Sequence, residues 1–191
     1  MKKHLLISLA LWAAVALPQA NAASLEGLRF EDVVKVANRE LQLNGLGVRA
    51  VFVFKAYVAG LYLGNKTSVA QEALRQPGPK RIQMRMLMEI GAPDIKKALV
   101  DGMQKNVSEA QWAAMQDRVA QFSRTIESIG VAKPGDTINL DYVPERGLML
   151  AVNDVAKGGA ISGPDFYNAL LEIFVGDNPV DTRLKKGMLG Q

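Results

Sequence analysis

Residues 44–63, with the sequence NGLGVRAVFVFKAYVAGLYL, constrain the fold more than any other stretch of this chain. They contain two runs of aromatic and β-branched residues, Val48–Phe54 and Ala56–Leu63, separated by a single lysine. Such runs are typical of strands that bury at least one face. The glycines of Asn44–Gly47 predict a turn that leads into the first run. Because Arg49 is the only charged residue of that run, we expect its guanidinium to need an anionic partner beside the buried strands.

The N-terminus predicts a secretory signal peptide over residues 1–22. Lys2 and Lys3 precede the apolar run Leu5–Leu17, and a small-x-small cleavage pattern follows at Ala20–Ala22. The apolar run is shorter than the roughly 20 residues of a membrane-spanning helix, and no later stretch reaches that length. We therefore expect a mature protein of residues 23–191 that is exported to the periplasm and has no stable membrane insertion.

The composition excludes several chemistries. The chain has no cysteine, and its only histidine, His4, lies in the predicted signal peptide. The mature chain therefore lacks the residues for a zinc site, a Ser-His-Asp triad or a cysteine nucleophile. Its acidic residues are scattered and form no calcium-loop pattern, so we predict neither a metal site nor a cofactor.

The charge of the mature chain is close to neutral. Two of the 23 lysines and arginines leave with the signal peptide, whereas all 19 acidic residues stay, which leaves a net charge of +2. This value does not predict nucleic acid or an anionic membrane as a partner. Two basic clusters, Pro79–Arg81 and Arg183–Lys186, are interpreted as solvated faces, with a phosphate site as the less favoured alternative.

Three further regions predict strands. One or two entry strands are expected over Leu28–Leu43, and residues 80–89 alternate in polarity as a half-buried strand does. The apolar residues on one face of that strand are Ile82, Met84, Met86 and Met88. Residues 137–161 predict a three-stranded meander with turns at Pro144–Gly147 and Asn153–Asp154.

Helical periodicity occupies the intervals between and after these strands. Pro93 suits the first turn of one helix, and the capping-box pair Ser108 and Gln111 opens a second, which we predict as one continuous amphipathic helix. A third helix follows the meander and is ended by Gly176, and Asn178 is predicted to cap the last helix.

The glycine and lysine motifs of residues 45–63 also resemble a known family. Gly-x-Gly-x-Arg followed by Lys-Ala-x-Val-Ala-Gly-Leu-Tyr-Leu is similar to the start of the chalcone isomerase-like fold, and residues 166–189 are similar to its closing helices. Pro93–Gly102 gives a third match. The element order independently predicts a single α+β domain over residues 23–191, with a mostly antiparallel sheet and helices layered on one side. The resemblance implies an open-faced β-sandwich of chalcone isomerase type, with a cleft between sheet and helices.

The resemblance also implies which residues face that cleft. Plant chalcone isomerases surround a flavonoid with an arginine, a strand threonine, a tyrosine and an asparagine on a helix, and a late threonine. By the surrounding motifs, these positions fall on Arg49, Tyr57, Ile95, Gly102 and Ile173. Only the arginine is kept, so most of the donors that ring closure would aim at a developing enolate are missing.

What remains resembles the fatty-acid-binding members of this fold, which hold a ligand through an arginine and a tyrosine. We therefore hypothesise a non-catalytic protein that binds a fatty acid or a similar apolar carboxylate. Arg49 neutralises the head group, Tyr57 hydrogen-bonds it, and an apolar cleft takes the tail. The candidate lining residues are Tyr62, Met84, Met86, Ile95 and Ile173.

Several of these side chains have a second interpretation. Met84 and Met86 suit a soft ligand lining, but methionines also fill ordinary cores. For Phe52, Phe54 and Tyr62, packing between sheet and helices is the favoured interpretation, and a place at the border of the pocket is the alternative.

Two other functions stay open at the level of sequence. One is an intramolecular lyase or isomerase that uses Arg49, with Tyr57 as a phenolic acid or base. The other is a structural or interaction protein of the cell envelope, with a filled cleft and Arg49 paired to Glu40 or Asp141.

Overall fold

The computed structural model describes residues 22–191, so the predicted signal peptide lies outside the described residues except for its last position. The described part contains no helix that is both long enough and apolar enough to cross a membrane. The strands are β1 (Ala22–Leu25), β2 (Leu28–Glu31), β3 (Val33–Val36), β4 (Arg39–Val51), β5 (Phe54–Leu63), β6 (Lys80–Met86), β7 (Ile90–Gly91), β8 (Val131–Ala132), β9 (Thr137–Val143), β10 (Gly147–Val152) and β11 (Val155–Ile161). The helices are α1 (Ala70–Arg75), α2 (Ala92–Gln104), α3 (Glu109–Ala114), α4 (Gln116–Glu127), α5 (Pro164–Val175) and α6 (Thr182–Met188).

Seven strands form one antiparallel sheet in the order β11-β10-β9-β6-β5-β4-β3. The β1–β2 hairpin and the short β7–β8 pair stand apart from it. The predicted meander is confirmed as β9, β10 and β11. Its turns fall at Pro144–Gly147 and Asn153–Asp154, as predicted. The α+β fold class and its mostly antiparallel sheet are therefore confirmed.

The sheet has two different faces. One face packs against the helices and forms the larger core, to which alternate residues of β6 contribute Ile82, Met84 and Met86. Met88 was predicted on the same face, but it lies beyond the end of β6 and is 38% exposed. The other face carries a smaller core around Phe30, where the β1–β2 hairpin covers part of the sheet. Helices on one face and only a partial cover on the other make an open-faced sandwich.

The predicted turn at Asn44–Gly47 is wrong, because these residues lie inside β4. Asn44 is the extra residue of a β-bulge, and its side-chain amide donates to the carbonyls of Thr67 and Met188. The glycines serve a close helix–strand contact instead. A β-carbon on Gly47 would lie 2.4 Å from the carbonyl oxygen of Leu184 in α6, which leaves no room for a side chain.

The turn between β4 and β5 lies at Phe52 and Val53, inside the first apolar run, and Lys55 belongs to β5 rather than interrupting the strands. Phe52 and Phe54 are 93% and 65% exposed, so their predicted packing between sheet and helices is wrong. The tip of the hairpin therefore contacts solvent instead of the core.

Two helix predictions also need correction. The helix opened by the Ser108 capping box ends at Ala114, and α4 starts after Met115, whose backbone is not helical. Trp112 of α3 packs against the core but stays partly exposed, whereas Met115 and the large apolar residues of α4 that follow it are buried. The last helix is capped by Asp181 rather than Asn178, because the Asp181 carboxylate accepts from two backbone N–H groups of α6.

Candidate functional site

An apolar pocket of about 190 Å³ lies between the sheet and α2. The sheet contributes Ala56, Tyr57, Met84, Met86 and Ile138 to its walls. The opposite walls are formed by Ile90, Ile95, Ala98, Leu99 and Val180. Arg49, Val51 and Asp94 complete the lining, so hydrocarbon dominates the interior and the charged groups are few.

A polar cavity of about 410 Å³ adjoins this pocket. The two share Arg49, Asp94, Ala98 and Val180, which marks the place where the apolar pocket meets polar surroundings. Lys97, Asp101 and Lys105 of α2 and its C-terminal cap line the polar side. Because Arg49 belongs to both linings, it lies at the mouth of the apolar pocket.

Within residues 22–191, no three acidic side chains are gathered closely enough to hold a metal ion.

A β-bulge places Tyr57 beside Arg49. The two residues are directly opposite each other in the β4–β5 ladder, and the next paired residues are Ala50 and Lys55. Ala56 is thus the extra residue, and both Ala56 and Tyr57 line the pocket although they are consecutive in the strand. A regular strand would point one of them to the other face of the sheet.

The anionic partner of Arg49 is Asp181. Its Nη1 lies 3.4 Å from Oδ2 of Asp181 and also donates to the carbonyl oxygen of Ala50. The predicted alternatives, Glu40 and Asp141, are wrong: Glu40 is 3.9 Å from Lys35, and Asp141 accepts two hydrogen bonds from the guanidinium of Arg81. The Nε and Nη2 atoms of Arg49 form no hydrogen bond with any described residue. One edge of the guanidinium therefore has no hydrogen-bond partner among the described residues, and Arg49 lines the pocket.

Asp181 is the partner of Arg49 that the sequence did not reveal. Partial burial raises the pKa of its carboxyl, but the backbone N–H groups of Leu184, Arg183 and Ala50, together with Arg49, hold that pKa below the usual value. Asp181 is thus ionised at neutral pH, caps α6 and binds Arg49 at once. Its position as an aspartate just before a helical segment was the available signal.

The hydroxyl of Tyr57 is a donor without a partner. It forms no hydrogen bond within the described part of the chain. Burial raises the pKa of this hydroxyl well above its ordinary value; the charge of Arg49 opposes the shift and that of Asp181 adds to it. The phenol therefore stays protonated and can donate to an anion in the mouth.

Of the seven predicted site residues, the structure brings five to this pocket: Arg49, Tyr57, Met84, Met86 and Ile95. The other two lie elsewhere. Tyr62 is fully buried in the smaller core on the opposite face of the sheet, since five residues along a strand reverse the side. Ile173 packs at the crossing of α5 and α2, where a β-carbon on Gly102 would lie 3.0 Å from its Cγ2 atom.

A sequence model of the chalcone isomerase-like family matches residues 22–190. The chain therefore belongs to the chalcone isomerase-like family. Among solved structures, it is similar to the crystal structure of a fatty-acid binding protein from Arabidopsis thaliana, with a TM-score of 0.71 and 12% sequence identity. The superposition covers 88% of this chain and 96% of that chain, and at this identity it shows a shared fold. A search of curated protein sequences gave no match.

Proposed function

We propose that this protein is an exported, non-catalytic binding protein for a fatty acid or a similar apolar carboxylate. One observation carries the proposal: a guanidinium with a free edge lies at the mouth of a pocket whose walls are almost entirely hydrocarbon. The plant structural neighbour is a fatty-acid binding protein, which supports the same ligand class. The signal-peptide pattern at the N-terminus supports export to the periplasm.

The head group is held by Arg49 and Tyr57. The Nε and Nη2 atoms of Arg49 point two parallel N–H donors in one direction, which is the geometry that binds a carboxylate through both oxygens. Tyr57 lies opposite Arg49 in the strand ladder and adds its hydroxyl as a further donor. Because the Arg49 side chain is only 23% exposed, its bonds to the ligand are shielded from water on one side.

The tail lies along the apolar walls. The pocket volume of about 190 Å³ is below the ~300–1,000 Å³ of pockets for drug-sized ligands, which favours a short or medium chain. Met84 and Met86 lie on the sheet wall, and their flexible side chains can repack to admit more of a chain. Each methylene that leaves water contributes roughly 0.8 kcal/mol, so affinity rises with chain length until the pocket is full.

The same geometry favours binding over catalysis. The raised pKa of Tyr57 opposes formation of the phenolate that a general base requires. Ile95 provides only hydrocarbon on the α2 wall, where the resemblance to the isomerases implies a polar helix residue. An enolate in this pocket would thus be contacted by one arginine and one hydroxyl. The wall opposite them would add no hydrogen-bond donor to stabilise its charge.

The test compares the ligand content of native protein. Wild type, Arg49→Ala and the matched control Arg39→Ala are purified from the exported fraction, extracted with organic solvent and analysed by mass spectrometry. Arg39 lies on the same strand but is exposed and away from the pocket. We expect an apolar acid in wild type and in Arg39→Ala, and its loss in Arg49→Ala. The mass of each intact protein also locates the N-terminus and so tests cleavage near residue 22.

Three further variants separate binding from folding. Tyr57→Phe removes the hydroxyl at the mouth, and Tyr62→Phe makes the same change on the opposite face of the sheet. We expect weaker uptake of added fatty acid only for Tyr57→Phe. Ala98→Trp fills the junction of the two cavities from the exposed face of α2 and should block uptake without unfolding the protein. Uptake that is equal in all these variants would contradict the proposal.

A further inference from the structure

The tip of the β4–β5 hairpin, Val51–Phe54, exposes four consecutive large apolar residues. These residues are 44%, 93%, 84% and 65% exposed in chain order. Because neighbouring residues of a hairpin point to opposite sides, the tip is apolar on both faces rather than on one. Isolated exposed apolar residues are common, but a continuous group of this kind marks an interaction surface.

The backbone at the tip adds a second observation. Phe52 has a φ of +55°, a conformation that bulky residues rarely adopt and that two-residue hairpin turns usually give to glycine, asparagine or aspartate. A strained position that holds a large aromatic ring, fully open to solvent, indicates that the ring serves a purpose outside the fold.

The tip adjoins the ligand pocket and carries positive charge at its base. Val51 belongs to the tip and also lines the apolar pocket. A groove beside the hairpin is lined by Lys55 and Arg183. Lys55 is neutralised by Glu26 at 2.7 Å, whereas the exposed Arg183 side chain forms no ion pair within residues 22–191. The base of the hairpin therefore offers a free cation next to the apolar tip.

We propose that the hairpin tip inserts into the interface of an anionic phospholipid bilayer, so that the pocket mouth opens at the membrane surface. Phe52, Val53 and Phe54 enter the boundary between head groups and acyl chains, and Arg183 contacts lipid head groups that carry a net negative charge. A bilayer surrounds an inserted tip on all sides, which suits apolar residues on both faces of the hairpin, whereas a protein surface docked on one face leaves the other in water. The near-neutral net charge of the chain makes the apolar tip the main source of binding energy.

This surface extends the proposed function and does not depend on it. The tip residues and Arg183 belong to the fold whether or not a ligand fills the pocket. If the pocket carries an apolar acid, the ligand passes between membrane and pocket along Val51 without crossing bulk water.

The test is a flotation assay with protein purified from the exported fraction. Vesicles of phosphatidylethanolamine and phosphatidylglycerol are compared with vesicles of phosphatidylcholine alone. We expect wild type to float with the anionic vesicles, and Phe52→Ser to lower the partition coefficient about tenfold. Val155→Ser is the control, since Val155 is 61% exposed next to the turn of another hairpin and should have no effect.

A second measurement reports insertion directly. Phe52→Trp should shift its fluorescence to shorter wavelength when anionic vesicles are added, and Val155→Trp should not. Arg183→Ala should weaken binding to anionic vesicles and leave binding to phosphatidylcholine unchanged. Wild type that stays unbound, or a Phe52→Ser variant that floats as wild type does, would overturn the proposal. Because ligand extraction is measured on the same samples, a failure here is distinct from an empty pocket.

Discussion

Asp181 serves both the fold and the site, because it caps a helix and also binds Arg49. Asp181 caps α6 through two backbone N–H groups and accepts from Arg49 through a single nitrogen 3.4 Å away. The ion pair orients the guanidinium but also competes with an incoming carboxylate for its charge. The affinity of the pocket for an anion is therefore set by Asp181 as well as by Arg49.

This competition predicts the effect of Asp181→Asn. Asparagine caps a helix about as well as aspartate, so α6 should stay intact while the negative charge disappears. We expect the affinity for a fatty acid to rise about threefold, measured by calorimetric titration. Asp177→Asn makes the same change at an exposed position of the same loop and should leave affinity unaltered. Weaker binding in Asp181→Asn would show that Asp181 holds Arg49 in place rather than competing for it.

At the level of single residues, the sequence indicated Arg49 and Tyr57 but misplaced Tyr62. Polarity and motif were sufficient for the first two, because a cation and a phenol follow the glycine pair in the order the family shows. The prediction for Tyr62 failed because the face to which a strand residue points depends on bulges and register. In β5, Tyr62 points into the smaller core.

The contact between β4 and α6 is the element that positions the site. Glycines on both sides allow the two backbones to approach, since a β-carbon on Gly187 would lie 2.2 Å from the carbonyl oxygen of Leu46. Asn44 ties the C-terminal end of the helix to the strand through the carbonyl of Met188. The N-terminal end of α6 is thereby held where Asp181 meets Arg49.

We predict that Gly47→Ala pushes β4 and α6 apart. The added methyl group would lie 2.4 Å from the carbonyl oxygen of Leu184, so strand or helix must move. We expect the free energy of unfolding to fall by about 2 kcal/mol, measured by urea denaturation, together with weaker ligand binding. Gly159→Ala is the control, because its nearest neighbour would be the Gln121 side chain at 3.9 Å. A stable Gly47→Ala variant with normal affinity would show that α6 does not position the mouth.

For the whole molecule, charge and composition determine how stability responds to pH. No histidine or cysteine follows residue 22, so no ordinary side chain titrates near neutrality. Several carboxyl groups have lowered pKa values: that of Asp136 because Asn153 and the Lys133 N–H hydrogen-bond it, and that of Asp165 because Arg118 binds it. Asp181 has the same direction of shift.

These pKa shifts determine whether acid raises or lowers the stability of the fold. A carboxyl whose pKa is lowered by folding stabilises the protein above the unfolded value of about 3.9, and this stabilisation is lost as the pH falls through the folded value. Glu172 acts in the opposite direction, because burial and Asp177 raise its pKa. We expect the urea midpoint to be flat from about pH 6 to about pH 8 and to fall below about pH 4. Asp165→Asn should reduce the acid-induced loss, and a midpoint that changes near neutrality would contradict this account.

The sequence alone determined the three-stranded meander of residues 137–161, the antiparallel character of the sheet, the lack of histidine and cysteine after residue 22 and the identity of the cation at the pocket mouth. These features follow from local pattern, because apolar periodicity and residue type act over a few neighbours. Only the tertiary structure decided the counter-ion of Arg49, which is 132 positions away along the chain, the use of Gly45 and Gly47 in a helix contact rather than a turn, and the exposure of Phe52. Each of these features depends on which remote part of the chain packs beside the strand. A local sequence pattern carries no information about that packing.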